Sequence, residues 1–74
     1  MTLNSFERAL RAFTQRKSFR PFLIEFLTGE RLEIRHREAV RLSDQLAVYV
    51  SPDRTYRLFD YSSVCQLLDN PAVR

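Results

Sequence analysis

Two side chains in this sequence are of types that can do chemistry on their own: His36, in Arg35-His36-Arg37-Glu38, and Cys65, in Val64-Cys65-Gln66. A histidine titrates near neutrality and serves as a general base or a pH switch. It needs a nucleophile and an orienting partner to act, and no recognisable set accompanies His36. Its position at a strand end among charges predicts a solvated ring or one paired with Glu38. A cysteine becomes a reactive thiolate at a helix N-terminus or beside cations. Cys65 would sit near such a terminus if Asp60–Ser63 opened a helical turn. Its apolar neighbours instead predict a buried thiol, the common state of a free cysteine.

The remaining reactive types do not assemble. Asp44, Asp53, Asp60 and Asp69 fall in turns or at strand ends, where aspartate bonds to nearby backbone, and they form no cluster at metal-ligand spacing. One histidine and one cysteine exclude a thiolate–imidazole zinc cluster and an internal disulfide. Ser62 and Ser63 read as local caps, and a single glycine, Gly29, provides no phosphate-cradling loop. No catalytic residue, cofactor site, metal site or small-molecule ligand is identifiable, and the expectation is a protein that is not an enzyme.

Charge is the next signal. Residues 1–20 carry Arg8, Arg11, Arg16, Lys17 and Arg20 against Glu7, a net of +4, whereas the other residues carry seven cations and eight carboxylates. Arg8, Arg11, Arg16 and Lys17 are therefore the candidate contacts for a nucleic acid, through its phosphates. The plainer reading of the same four residues is the solvated face of a helix.

The elements that would position these residues follow from periodicity. Asn4–Lys17 reads as a helix, with Asn4 as cap, Glu7 three residues on as a capping-box partner, and Phe6, Ala9, Leu10 and Phe13 on one apolar stripe. Pro21 disfavours helical geometry at Arg20, which ends it. From Phe22 the period is two. Phe22, Ile24 and Phe26 point one way and Leu23, Glu25 and Leu27 the other; Thr28-Gly29-Glu30 turns the chain, and Leu32 and Ile34 return inward. Val40–Leu42 reads as a brief strand or as loop. Further strands are expected over residues 46–50, 55–59 and 64–68, the last being either strand or helical turn. Pro52 favours a turn over Ser51–Arg54, and the tail beyond Asn70 is expected to fray.

One helix and five short strands (about 4–17, then 22–27, 31–35, 46–50, 55–59 and 64–68) predict one mostly β domain, a small five-stranded barrel of Sm-like or SH3 type. The alternative is an open antiparallel sheet with the helix packed on one face. A 74-residue chain buries only about 60% of the surface its unfolded form exposes. With neither disulfide nor metal, self-association is the remaining means of added stability. The reverse strand faces supply apolar surface for it, through Leu23, Leu27, Tyr49, Phe59 and Tyr61, which are expected outside the core. No run is apolar for the length of a membrane span, and no signal-peptide core is visible, so no membrane partner and a reducing cytoplasm are expected.

The run FRPFLIEFLTGERLEIRHREAV resembles a widespread group of small bacterial proteins of unassigned function. They share a short helix, Arg-Pro-Phe, an alternating strand, a Gly-centred turn, a second strand and a His-Pro-Glu-like bend. The resemblance extends through VYVSPDRTYRLFD and SSVCQLL, and departs at Arg37, where the group usually has proline. The element order is also similar to the Sm-like fold of Sm, Lsm and Hfq proteins, whose rings pair the fourth strand of one subunit with the fifth of the next. That resemblance implies Tyr56, Leu58, Phe59, Val64, Gln66 and Leu68 as subunit-interface residues. The Sm RNA-binding residues have no counterpart, since Tyr61-Ser62-Ser63 stands where the Arg-Gly or Lys-Gly dipeptide would precede the last strand.

Two functions follow as expectations. One is a self-associating Sm-like scaffold that binds RNA through its basic helix. The other is a protein-interaction subunit that recognises a polypeptide by pairing along a strand edge.

Overall fold

The structure, a computed structural model, describes residues 1–70. It is mostly β with an N-terminal helix. Helix α1 spans Leu3–Thr14, followed by β1 (Phe22–Phe26), β2 (Arg31–Ile34), a 3-10 turn at Arg37–Ala39, β3 (Val40–Ser43), β4 (Leu46–Val50), β5 (Tyr56–Asp60), a second 3-10 turn at Tyr61–Ser63 and β6 (Val64–Asp69). The six strands form two three-stranded antiparallel sheets, ordered β2-β1-β6 and β3-β4-β5. Val40–Ser43 is thus a strand of its own, and residues 64–69 are strand. The five-strand count expected from sequence becomes six, and no ladder joins the two sheets among the described residues.

The helix starts and stops earlier than its periodicity predicts. Thr2, not Asn4, is the cap: its Oγ1 accepts the Ser5 N–H at 3.1 Å and its carbonyl accepts the Phe6 N–H at 2.9 Å. Asn4 and Glu7 lie inside the helix, so the capping box does not form there. At the other end the Thr14 hydroxyl bonds back to Leu10 O at 2.8 Å, a local competitor to further helix. Phe6 and Leu10 are buried, and Phe13 stacks on Phe22 with centroids 4.9 Å apart.

The first hairpin matches its pattern. Phe22, Ile24 and Phe26 are buried and alternate with half-buried Leu23 and Glu25. Phe26 O accepts the Gly29 N–H at 2.8 Å while Phe26 N–H donates to Glu30 O at 2.8 Å. This type I turn with a bulge needs a left-handed residue, and Gly29 supplies it at φ +92°.

In the second sheet the expected facing is corrected. Ala47 and Phe59 are directly paired and both buried, and Tyr49 and Tyr61 pack half-buried against the core. Phe59 thus belongs to the core, and Tyr49 and Tyr61 line its margin instead of a free reverse face. The small Ala47 side chain leaves room for the Phe59 ring, which meets Phe26 and Phe6 edge-on at 5.0 and 6.4 Å. The opposite face therefore carries Leu46, Val48, Val50, Tyr56 and Leu58.

Candidate functional site

Three surfaces bring sequence-singled residues together. The first is the outer face of the second sheet. The pairs Val48–Leu58 and Val50–Tyr56 place four apolar side chains side by side, with Leu46 at the end of the same face. Tyr56 and Leu58 are 66% and 56% exposed, and Leu46 is 38% exposed. Both β5 and β6 are end strands of their sheets. Of the residues expected at a subunit interface, Tyr56, Leu58 and Gln66 are exposed and Leu68 is half-buried, whereas Phe59 and Val64 are buried within the chain. Gln66 donates to Glu25 Oε1 at 2.6 Å. That bond, and then the Arg31 guanidinium, hold the Glu25 carboxyl below its usual value.

Cys65 is on this edge and is exposed, against the expectation of burial. The β1–β6 register passes from Glu25–Gln66 to Phe26–Val64, so Cys65 is the extra residue of a β-bulge. A bulge interrupts the alternation of faces that would have turned this thiol inward. Ahead of it, Asp60 Oδ1 accepts the Ser62 N–H at 2.8 Å, and the Ser63 hydroxyl donates to Asp60 O at 2.6 Å. The bonds from Ser62 hold the Asp60 carboxyl low. Both serines are thus engaged locally in the 3-10 turn.

The second surface is the basic segment, which the fold divides. Arg8 and Arg11 lie exposed on α1, away from Phe6 and Leu10. Arg16 lies past the helix end, where its Nη2 donates to Asp69 Oδ1 at 2.8 Å and its guanidinium sits 4.5 Å from the Phe13 ring centroid. Its Nη1 is buried without a hydrogen-bond partner among the described residues. Lys17 is exposed in the loop that follows. The four cations are therefore not one helical face. Arg16 belongs to the packing, while Arg8, Arg11 and Lys17 have no ion-pair partner among the described residues.

The third surface, a cleft of about 520 Å³ between the two sheets, was not legible in the sequence. Its apolar lining is Leu32, Ala39, Tyr49, Val50 and Pro52, and its polar lining includes Glu33, Arg35, His36 and Glu38. It adjoins a second hollow that reaches Asp53, Thr55 and Arg57. His36 is exposed at this cleft and accepts the Ala39 N–H on its carbonyl at 3.0 Å; no bond joins its ring to Glu38. Asp53 accepts from the Ser51 hydroxyl and from the Thr55 N–H at 3.0 Å, and these bonds lower its carboxyl pKa, Ser51 most.

No group of three or more His, Cys, Asp or Glu side chains that could hold a metal occurs among the described residues. No helix among them is long and apolar enough to cross a membrane. The chain matches no protein-family model, no curated protein and no solved structure.

Proposed function

We propose that the protein is a non-enzymatic, self-associating module of Sm-like type. The pairing order supports this reading. With β2 and β3 counted as one strand broken at Arg37–Ala39, the ladder runs β6-β1-β2/β3-β4-β5, the order of a five-stranded Sm-type barrel. The two strands left at the ends, β5 and β6, are those that pair between neighbouring subunits in Sm rings. An unpaired strand edge invites another strand, and small folds blunt such edges with charge or cover. Here β5 instead presents exposed Tyr56 and Leu58. That exposed apolar end strand is the observation that carries the proposal.

Native mass by multi-angle light scattering tests it. A mass that is a multiple of 8.8 kDa at micromolar concentration is the expected result. A monomer there overturns the reading.

A second partner, RNA, is favoured by Arg8, Arg11 and Lys17 of the basic segment, which have no ion-pair partner among the described residues. Phosphate contacts of this kind weaken as salt rises. Fluorescence anisotropy with short single-stranded RNA should show binding at low salt that falls as salt increases. No binding at low salt removes RNA from the reading and leaves the self-association unaffected.

A further inference from the structure

β2 is an end strand of the first sheet, and the phase of its hydrogen bonds is fixed by the turn that precedes it. Phe26 N–H donates to Glu30 O, so in an antiparallel ladder Leu32 and Ile34 turn their backbone groups toward β1. Arg31 and Glu33 turn theirs away, along an edge with no strand beside it among the described residues. This edge borders the inter-sheet cleft, where Leu32, Tyr49, Val50 and Pro52 offer apolar contact. A row of backbone donors and acceptors beside an apolar trough is what an extended polypeptide satisfies.

The charges select among peptides. Glu33 is held by Arg35 at 2.9 Å and by Asn70 at 2.5 Å, and Arg57 is held by Glu30. Glu38 and Asp53 are left without a cation among the described residues, one on the cleft and one on the adjoining hollow. The hydrogen bonds from Ser51 and Thr55 keep Asp53 ionised. Among the residues that line the two hollows, the uncompensated charge is negative.

We propose that β2 accepts an extended peptide as an added antiparallel strand, its alternate apolar side chains over Leu32 and Tyr49 and its basic ends near Glu38 and Asp53. This site is on a different edge from the β5 and β6 surface, so the two proposals stand or fall separately. A residue added opposite Leu32 shares its face and points its N–H away from β2. A residue added opposite Arg31 or Glu33 points its N–H toward β2.

The test uses the full chain and the peptide acetyl-Lys-Val-Thr-Val-Thr-Val-Lys-amide, followed by amide NMR and by calorimetry. The expected result is binding, with shifts at Arg31, Glu33, Tyr49 and Val50. N-methylation of the two threonines should weaken binding about tenfold, the loss of two backbone bonds, whereas N-methylation of two valines should leave it nearly unchanged. Glu33→Pro removes one outward N–H without removing a bond to β1, and should weaken binding about three- to fivefold, less than the doubly methylated peptide. The proposal is overturned by absence of binding at millimolar peptide, by equal effects of the two methylation patterns, or by shifts confined to β5 and β6. It is also overturned if β2 amides shift on raising protein concentration alone, since a second copy would then be the occupant. The methylated peptides decide the matter even if Glu33→Pro fails to fold.

Discussion

Arg57 on β5 and Glu30 in the β1–β2 turn face each other as a two-bond fork, both N–O distances 2.9 Å, and so tie the two sheets together beside the hollow that adjoins the cleft. The same guanidinium lies 5.0 Å from the Phe26 ring centroid, so the clasp is also seated on the core. The bonds from Arg57 hold the Glu30 carboxyl below its usual value, and Glu30 in turn raises Arg57. Because the folded-state value is depressed, the stability this pair adds is fully present above the ordinary glutamate value and is lost as pH falls through the lowered one. Arg57→Ala should return Glu30 to its ordinary titration, read from side-chain carbonyl NMR. Urea unfolding should show the difference between parent and variant shrinking toward acid pH and in high salt. A Glu30 titration that is the same in both proteins would remove the clasp from the account.

The hairpins make a second set of predictions. Gly29 holds φ +92° in the first turn, but Asp44, Gln45 and Arg54 hold φ values of +52°, +73° and +66° with side chains that resist them. Asp44 and Gln45 are the two central residues between β3 and β4, where a type I′ turn prefers glycine second. Arg54 occupies in the β4–β5 turn the place that Gly29 occupies in the first, its N–H donating to Ser51 O at 2.9 Å. Gln45→Gly and Arg54→Gly should each stabilise the fold by on the order of 0.5–1 kcal/mol in chemical denaturation. Gly29→Ala should destabilise it by about 1–2 kcal/mol through φ alone, since nothing lies within 4 Å of the added methyl.

What the sequence revealed, and what it hid, divides along the same physical line. β1 was legible because Phe22, Ile24 and Phe26 alternate with residues that differ in size and polarity. The span of β4 was legible too, but its facing was not, because Leu46, Ala47, Val48, Tyr49 and Val50 are apolar on both faces. Its inward side is decided by fit, the small Ala47 beneath the Phe59 ring, which no period reports. Cys65 was misread for a related reason: a bulge depends on the partner strand. The cleft depends on the relation between two sheets, and its residues, from Leu32 to Pro52, are spread along the chain with no common motif. The RNA candidates were legible as charge, but which of them the fold would pair, Arg16 with Asp69, was not.

The helix start offers a direct test of one such correction. Thr2 and Asn4 are both good capping types, and only Thr2 is placed to receive the Ser5 N–H. Thr2→Ala should cost about 1 kcal/mol of stability. Asn4→Ala, inside the helix, should be neutral or slightly favourable, because alanine is the better helix former. A larger loss from Asn4→Ala than from Thr2→Ala would move the cap back to Asn4.

The exposed thiol gives the self-association its own reporter. Cys65 stands exposed on β6, the strand expected to receive β5 of a neighbouring copy. At dilutions where the protein is monomeric, the folded chain should react with an aromatic disulfide reagent at the rate of an accessible thiol. Raising the concentration should slow that reaction as the β6 edge becomes covered. Leu58→Asp puts a charge on the exposed β5 face without touching a core residue, since Leu58 is 56% exposed. It should lower the native mass, keep the unfolding midpoint of the monomer nearly unchanged, and restore fast labelling of Cys65 at high concentration. Labelling that ignores concentration in the parent, or protection that survives Leu58→Asp, would show that the β5 and β6 edges do not meet.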